Sequence, residues 1–580
     1  MEKQSFKALK QPLVGAIVKN HRPVLICIFI ALFTLVAFFP SLQNGFTNWD
    51  DDAYVTNNPD IRGFTFENVG KVFTSSYAAN YQPLTMLTYM AEYSIGGLNP
   101  ALFHGTNVLI HIINCMLVFA LLYGLAGNIF IGVVAALLFA VHPLRVESVA
   151  WVSELKDVLS ASFYFLSLLA YHAFLKKGFR KYYRICLLSL VLSLLSKPMA
   201  ISLPFVLMLM DYLNGKKADK QSLLQKVPFF VIAAVFIAIT IITQRHSGAI
   251  PTYQPLPVLQ RLCVPFYGAL FYIVKFIVPV KLAALYSMQS HQDIIINSAL
   301  IWVSPFIIIG IAAALYFRRI ASKMVVFGVS YFLITLLPVL QIVPVGSAMV
   351  ADRYTYIPSV GICLVFAGAI SRIINNRSVG NANRRTIIYA GLITMFIIFG
   401  ILTYQRCKIW NDSLTLWNDT IAKYPSAIAY NNRATLRSGS GGIDLALADF
   451  NQAIDLDPAF AKAHNNRGIA YLSKGILDSA LKDFNQTIEL QRDYFDAYNN
   501  RGIIFVYLKE YDKALADFTR ALSLNSGYTR AYTNRGIAYM SKGSFDLAIR
   551  DFDKVIMLDS TNSTAIEKRN QAMAYLLKIK

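Results

Sequence analysis

The segment "NNRGIAYLSKGILDSALKDF", residues 465–484, decides the fold of the C-terminal part of this chain. Its opening returns as "NNRA" at 431, "NNRG" at 499 and "TNRG" at 533, and its closing "DF" returns at 449, 517 and 551. Neighbouring copies are 34 residues apart throughout. Four units at one fixed step indicate an array of helical repeats rather than a single globular core.

A 34-residue period is that of the tetratricopeptide repeat (TPR), and Gly468, Tyr471, Ala480 and Phe484 occupy its signature positions. Each unit is a helical hairpin that buries its apolar face against the next unit. We therefore predict an α-solenoid with a concave groove over residues 427–580. Its last helix, "STAIEKRNQAMAYLLKIK", is predicted to cap the array.

Two polar residues recur on the first helix of every unit. An asparagine amide can pair with both the donor and the acceptor of a peptide backbone, so one interpretation is an acceptor groove for an extended polypeptide. The other is that the amides serve the packing and hydration of the repeat. The arginine beside each amide is predicted to pack through its stem. The asparagines are Asn432, Asn466, Asn500 and Asn534, and the arginines are Arg433, Arg467, Arg501 and Arg535.

Composition places the rest of the chain in a membrane. The whole chain of 580 residues is 56% hydrophobic and only 15% charged, with a mean hydropathy of +0.47. These values indicate a polytopic membrane protein. The net charge of +21 resides largely in short basic clusters between apolar runs, such as residues 176–184 and 214–226. Such clusters are typical of cytoplasmic loops, and no basic, aromatic surface is left over for nucleic acid. The six cysteines form no disulfide framework or zinc spacing.

The apolar runs are long enough to cross about 30 Å of hydrocarbon. Residues 185–213 can form two short helices broken at Lys197 and Pro198. Full crossing by every run would leave basic loops outside, so we predict that residues 263–280 form a re-entrant segment and that eleven crossings remain. The runs lie near 24–40, 104–124, 128–142, 157–175, 185–213, 227–243, 263–280, 297–316, 324–343, 357–371 and 386–404.

Loop charge also predicts the orientation. The first run reads as a retained signal-anchor with a cytoplasmic N-terminus, which puts the acidic loop 41–100 and the repeats outside. We predict a membrane domain over residues 1–405, an interfacial linker anchored by Trp410 and Trp417 over 406–426, and the TPR domain. The short basic loops and sparse cysteines favour a bacterial inner membrane, with the repeats in the periplasm.

Three consecutive acids, Asp50, Asp51 and Asp52, follow the first run. A carboxylate at the membrane surface can take the proton of a hydroxyl nucleophile while a lipid-linked donor enters from the bilayer. The alternative is a solvated charged rim, and spacing alone favours it.

Ionisable residues also cluster in "AVHPLRVESVAWVSELKDVLS", residues 140–160. Charges between apolar runs either line a wet cavity or pair with one another, and both interpretations stay open. A metal pair at His142 and Glu147 lacks a third ligand at a suitable spacing, so no metal is expected. The candidate cavity-lining residues are His142, Glu147, Glu154 and Asp157.

Two cations, Lys197 and Arg353, lie at predicted outer ends of membrane runs. A fixed cation there suits the phosphate of a polyprenyl donor, because it offsets charge on the leaving group. The alternative is that each side chain reaches up to the lipid headgroups.

The order of these motifs resembles a known family. The segments "NWDDDAYVTNNPDI", "YQPLTMLTYM", "LFHGTNVLIHIINCMLV", "LLFAVHPLRVESVAWVSELKDVLS", "LLSKPMAISLP" and "DRYTYIPSVG", followed by the repeats, resemble the transmembrane and tetratricopeptide repeat O-mannosyltransferases and their bacterial relatives. Those proteins are C-type glycosyltransferases, so the resemblance implies an all-α membrane bundle of that type followed by the TPR solenoid.

The resemblance also implies roles for individual residues. The paired acids of the family's first outer loop match Asp50 and Asp51 and are expected to be catalytic, whereas Asp52 falls outside the pair. Arg353, Lys197 and Arg145 are expected to bind the donor phosphate.

The implied activity is inverting, metal-independent transfer of a sugar, mannose in the animal members, from a polyprenyl-phosphate donor to a protein hydroxyl. No other cofactor is expected, and the repeats would present the polypeptide acceptor. The alternatives are transfer onto a glycan or lipid, and a non-enzymatic membrane-anchored TPR scaffold.

Overall fold

The computed structural model describes residues 21–217, 219–246, 258–287, 299–317, 322–340, 348–376 and 382–579. These residues form two compact units, Met1–Tyr424 and Pro425–Lys580. Both units are helical, and the first also contains a two-stranded antiparallel ladder of β1 (Tyr286–Ser287) and β2 (Ala348–Val350). The predicted all-α class, a membrane bundle followed by a TPR solenoid, is confirmed.

The helices of the first unit are α1 (His21–Phe38), α2 (Phe66–Thr74), α3 (Pro83–Gly96), α4 (Pro100–Ala126), α5 (Ile129–Val141), α6 (Val146–Ala150), α7 (Leu155–Lys177), α8 (Arg180–Ser196), α9 (Leu203–Leu213), α10 (Lys220–Leu224), α11 (Val227–His246), α12 (Val258–Ile277), α13 (Ala299–Phe317), α14 (Lys323–Leu336), α15 (Ser359–Asn375), α16 (Ala382–Cys407) and α17 (Ser413–Lys423).

Within the described ranges, five helical segments are long and apolar enough to cross a membrane. A sixth is the pair α5 and α6, which is bent by 59° at the break before Pro143. Four shorter apolar segments accompany them, at Pro198–Leu213, Ala299–Ala314, Lys323–Val339 and Ser359–Asn375. The predicted break at Lys197 and Pro198 is present, because α8 ends at Ser196 and α9 begins at Leu203. The count of eleven crossings and the re-entrant path of 263–280 stay predictions.

The core of the first unit lies between α4, α5, α7 and α15. Gly127 makes the turn from α4 to α5 possible, since its φ of +63° is a left-handed conformation that favours glycine. Asn128 then caps α5 by accepting from the N–H of Phe130. Inside the core, His111 and Asn114 of α4 both bond to the hydroxyl of Tyr356. These buried polar contacts hold the Asp352–Thr355 turn against α4.

Both tryptophans of the predicted interfacial linker are buried within the first unit. Trp410 is 1% exposed and Trp417 is fully buried. The indole N–H of Trp417 donates to the side chain of Asn48 at 2.7 Å. The two tryptophans are therefore core residues beside the loop that follows α1, and the interfacial position of the linker stays a prediction.

The second unit consists of helical hairpins and a final helix. Its helices are α18 (Ala427–Gly439), α19 (Ile443–Leu456), α20 (Ala461–Ser473), α21 (Leu477–Leu490), α22 (Phe495–Tyr507), α23 (Tyr511–Leu524), α24 (Thr529–Ser541), α25 (Phe545–Leu558) and α26 (Ser563–Ile579).

The signature glycine of each full repeat lets the two helices of a hairpin approach closely. A Cβ atom at Gly502 would lie 2.7 Å from a ring carbon of Phe518, and one at Gly468 would meet Phe484 at the same distance. Such contacts are too short, so in these repeats the position of the phenylalanine ring leaves no room for a side chain at the glycine. The first repeat has Ala434 at this position, and it is buried beside Phe450.

Candidate functional site

The three acids lie where the chain leaves α1 and enters a π-helical turn, Asp52–Thr56. Asp51 points inward and is 1% exposed. One carboxylate oxygen accepts the backbone N–H and hydroxyl of Thr47 at 2.8 and 2.9 Å. The other accepts the N–H of Ser153 at 3.0 Å and its hydroxyl. Burial raises the pKa of Asp51 to about 6, against the lowering effect of these bonds. Asp51 therefore holds the loop that follows α1 against the segment after α6.

Asp50 has the opposite environment. Its side chain is 31% exposed, and one carboxylate oxygen lies 3.8 Å from Nζ of Lys156. That ammonium group also lies 4.7 Å from the ring centroid of Tyr54. Asp50 is thus an accessible carboxylate beside a buried cation, whereas Asp51 has both oxygens occupied by donors.

Behind Asp50, three cations and three carboxylates form one buried cluster. Glu154 is central, since its oxygens lie 3.3 Å from Lys156, 3.1 Å from Lys197 and 3.4 Å from Arg353. Lys197 also contacts Asp157 at 2.5 Å. Pairing with opposite charges makes burial of these groups tolerable.

Arg353 joins this cluster from the turn that follows β2. Its backbone N–H donates to Glu147 at 2.9 Å, and its guanidinium donates to the other oxygen of the same carboxylate. The side chains of Arg353 and Lys197 keep 13% and 14% exposure. Each cation therefore has a fixed position and a small accessible face.

The acids in 140–160 form ion pairs with cations, which is one of the two arrangements that the sequence allows. Glu147, Glu154 and Asp157 are 1–4% exposed, and each contacts a cation. They act as counter-ions of the cluster, and their cavity-lining role stays a prediction.

Two predicted site residues do not join this cluster. Arg145 is fully buried, and its guanidinium donates to the carbonyl and hydroxyl oxygens of Thr355 at 2.9 and 2.7 Å. His142 is also fully buried, stacks on Phe276 and shares a 2.8 Å hydrogen bond with its carbonyl oxygen. In the structure both side chains hold neighbouring segments in place, and the donor-phosphate role of Arg145 and the cavity-lining role of His142 stay predictions.

An aromatic stack adjoins the same site. Trp49 precedes Asp50 and stacks on Trp151 with ring centroids 4.6 Å apart. The guanidinium of Arg353 lies 5.7 Å from the Trp151 ring centroid and 5.0 Å from that of Tyr354. These contacts fix the cation within its aromatic surroundings.

The sequence pattern does not indicate the contacts of Ser153 and Thr47 with Asp51, nor that of Lys156 with Asp50. Lys156 was visible as a charge in an apolar setting, but no spacing rule links it to an acid about a hundred residues earlier. Among the described residues, no group of three His, Cys, Asp or Glu side chains is arranged to hold a metal ion. Metal independence stays a prediction.

In the repeats, the recurrent asparagines form a ladder between neighbouring units. The side-chain N–H of Asn466 donates to Asn431 at 3.0 Å, and Asn500 donates in the same way to Asn465 at 3.1 Å. Asn534 donates to Asn499 at 2.8 Å. An amide carries two N–H groups, and the ladder uses one of them.

The recurrent arginines also differ from the prediction. Arg501 makes a two-pronged contact with Asp517 at 2.8 Å and donates to Asn485 of the preceding unit at 2.8 Å. The same ion pair occurs in every repeat, so these arginines bind through their charged heads rather than packing through their stems alone. The pairs are Arg433 with Asp449, Arg467 with Asp483, Arg501 with Asp517 and Arg535 with Asp551.

Known families match both parts of the chain. Residues 102–243 match the family described as dolichyl-phosphate-mannose-protein mannosyltransferase. TPR families match residues 440–475, 461–494, 495–528 and 529–562. Together with the fold, these matches define a class of membrane protein in which a mannosyltransferase-like helical domain precedes a TPR array.

Two curated proteins are similar to this chain over most of its length. The protein O-mannosyl-transferase TMTC1 of Homo sapiens is 24% identical over 73% of this chain and 54% of its own length. The protein O-mannosyl-transferase F38B6.6 of Caenorhabditis elegans is 24% identical over 74% of this chain and 62% of its own length. The resemblance to the O-mannosyltransferase family with TPRs is thereby confirmed. The chain spans about half the length of the first of these relatives.

A shorter match and one solved structure add detail. The protein O-mannosyl-transferase TMTC4 of Mus musculus is 34% identical over 26% of this chain and 23% of its own length. The crystal structure of YrrB, described as a TPR protein with an unusual peptide-binding site, is 26% identical over 28% of this chain and 84% of that chain, with a TM-score of 0.25.

Proposed function

We propose that this chain is an inverting glycosyltransferase that moves a sugar, mannose by analogy with its relatives, from a polyprenyl-phosphate donor to a Ser or Thr hydroxyl of a protein. One observation carries the proposal. An accessible carboxylate, Asp50, lies 3.8 Å from Lys156, and Lys156 shares Glu154 with the partly exposed cations Lys197 and Arg353. A base and phosphate-binding cations are the two requirements of this reaction.

Asp50, rather than Asp51, is the proposed base. Its carboxylate takes the proton of the acceptor hydroxyl, and the oxygen then bonds to C1 of the sugar. The bond from C1 to the phosphate oxygen breaks on the opposite face, and the electron pair leaves with polyprenyl phosphate. Asp51 holds the loop in position, because its oxygens already accept four hydrogen bonds.

Arg353 and Lys197 are the proposed phosphate ligands. Leaving-group charge develops as the C1 bond breaks, and fixed cations stabilise that charge without reorganising. Glu147, Glu154 and Asp157 keep both cations in position before the donor binds. No metal or other cofactor takes part in this scheme, and the donor enters from the membrane.

The repeats are proposed to bind the acceptor polypeptide along the asparagine ladder. The ladder amides of Asn466, Asn500 and Asn534 are half-buried and evenly spaced along the array. Backbone-directed amides would hold many sequences in an extended form, which suits an enzyme with several protein acceptors. We further propose a bacterial inner membrane with the N-terminus in the cytoplasm and the repeats in the periplasm.

The test is mass spectrometry of envelope proteins from cells that contain or lack this chain. The wild-type chain is expected to add hexose-sized increments that disappear in the deletion strain. Asp50→Asn should fail to restore them, whereas Asp52→Asn, a substitution of the neighbouring acid, should restore them. Hexose on a glycan or lipid alone would reject the protein acceptor. Unchanged envelope proteins and glycans would support the scaffold alternative and reject the enzyme.

A further inference from the structure

Gln82 is a buried amide for which the fold provides no partner. It is 1% exposed, and neither its side-chain nitrogen nor its oxygen has a hydrogen-bond partner in the structure. Gln82 is the N-cap of α3, yet its side chain does not cap that helix. A buried amide left unpaired is destabilising, and native proteins pair such groups with protein, water or ligand.

The residues that flank Gln82 contact both sides of the proposed catalytic site. Two positions earlier, the Asn80 amide donates to the hydroxyl of Tyr54 at 3.2 Å, and Lys156 lies over the ring of that tyrosine. Three positions later, the hydroxyl of Thr85 donates to the carbonyl of Ser196 at 3.0 Å, directly before Lys197. Gln82 therefore lies on the segment that joins the Asp50 side of the site to the Lys197 side.

The backbone before Gln82 is held in an uncommon form. Ala78 and Ala79 have φ values of +43° and +65°, in the left-handed region that alanine rarely adopts. Tyr77 and Asn80 exchange backbone hydrogen bonds of 3.0 and 2.9 Å across this turn. The chain thus maintains a strained turn shortly before Gln82.

We infer that Gln82 binds hydroxyl groups of the transferred sugar, and this inference rests on the proposed function. In an in-line displacement the sugar lies between the leaving phosphate and the attacking hydroxyl, which here means between Lys197 and Asp50. Sugar hydroxyls both donate and accept, and the amide offers two donors and two acceptor lone pairs. A neutral amide suits a sugar better than a phosphate, for which the cations are available.

The test measures donor binding to the purified full-length chain by quenching of its tryptophan fluorescence. The probes are a short-chain polyprenyl phosphate that carries mannose and the same polyprenyl phosphate without sugar. The wild-type chain should bind the sugar-bearing lipid more tightly. Gln82→Ala should weaken binding of that lipid about tenfold, the effect of losing one or two neutral hydrogen bonds, while leaving the affinity for the sugarless lipid unchanged. Gln82→Met, which keeps the approximate size of the side chain but has no amide group, should give the same selective loss.

A matched control is Gln225→Ala, because the side-chain oxygen of Gln225 is also buried without a partner in the structure but lies after α10. This variant should bind both lipids like wild type. Equal weakening of both lipids by Gln82→Ala, or retention of the full preference for the sugar, would overturn the inference while leaving the proposed function intact. Failure of the wild-type chain to bind either lipid would overturn the proposed function and the inference together.

Discussion

Glu154 offers the sharpest test of the buried charge cluster. The change Glu154→Gln keeps the shape of the side chain and removes one negative charge from the centre of three cations. The carboxylate oxygens lie 3.1–3.4 Å from Lys156, Lys197 and Arg353. At an effective dielectric constant of about 20, each such pair is worth roughly 5 kcal/mol in gross Coulomb energy.

The net effect is smaller, because the cations relax and water enters. Loss of one partner from a buried ion pair typically destabilises by about 3–5 kcal/mol. The unfolding entropy of about 2.1 cal/mol/K per residue makes this a fall in melting temperature of roughly 2–4 °C in a chain of 580 residues. The assay is thermal unfolding of the detergent-solubilised chain followed by intrinsic fluorescence.

Glu67→Gln is the matched control. It removes the same charge from a pair with Lys71 at 2.8 Å in which the Glu67 side chain is 75% exposed. Solvent screens exposed pairs, so this variant should have the same melting temperature as wild type. If Glu154→Gln also had the melting temperature of wild type, the buried ion pairs around Glu154 would not stabilise the fold.

Three further predictions concern stability. Gly502→Ala should destabilise the isolated segment 425–580 by about 1–3 kcal/mol in urea unfolding, because the new Cβ would meet Phe518 at 2.7 Å. Gly439→Ala, with open space around its Cβ, should show no such loss, and equal behaviour of the two would contradict the close helix approach. Arg501→Met should lower the free energy of unfolding by about 1–3 kcal/mol in the same assay, because it leaves Asp517 unpaired. Arg520→Met changes an exposed arginine and should leave stability unchanged. An unchanged stability of Arg501→Met would refute a structural role for the pair. Burial raises the pKa of Asp51 from its ordinary 3.8 to about 6, so its stabilising contribution is complete below pH 3.8 and is lost as the pH rises through about 6. The melting temperature of wild type relative to Asp51→Asn should therefore fall between about pH 4 and pH 6, and a rise over that range would show that the pKa is shifted in the other direction.

The sequence predicts the repeats better than it predicts the site. A 34-residue period repeats the same local contacts, so Gly468, Phe484 and their counterparts could be assigned from spacing alone. The break at Lys197 was also predictable from local sequence, because Pro198 cannot continue a helix.

The site depends on contacts between distant segments, and periodicity does not encode these. Asp51 meets Ser153, and Arg353 meets Glu147, across about a hundred and two hundred residues of sequence. Arg145 and Arg353 look alike as cations at the ends of apolar runs. Only the packing separates Arg145, which is buried against Thr355, from Arg353, which keeps an exposed face.

The two acids differ for the same reason. Asp50 and Asp51 are chemically identical neighbours, and the turn that follows directs one side chain outward and the other inward. The family resemblance indicates Asp50 and Asp51 as the candidate catalytic pair. The hydrogen bonds from Thr47 and Ser153 to Asp51 then distinguish the buried acid from the accessible one.

The most direct measurement is sugar transfer by the purified full-length chain from polyprenyl-phosphate mannose to a Ser- and Thr-containing protein, with the anomeric configuration of the product determined by NMR. The proposal predicts a product inverted at C1, and a rate that Asp50→Asn lowers by about 10²–10⁴-fold, the usual contribution of a general base, while Asp52→Asn leaves it near wild type. Retention at C1, or wild-type transfer by Asp50→Asn, would contradict the assignment of Asp50 as the base of an inverting transferase.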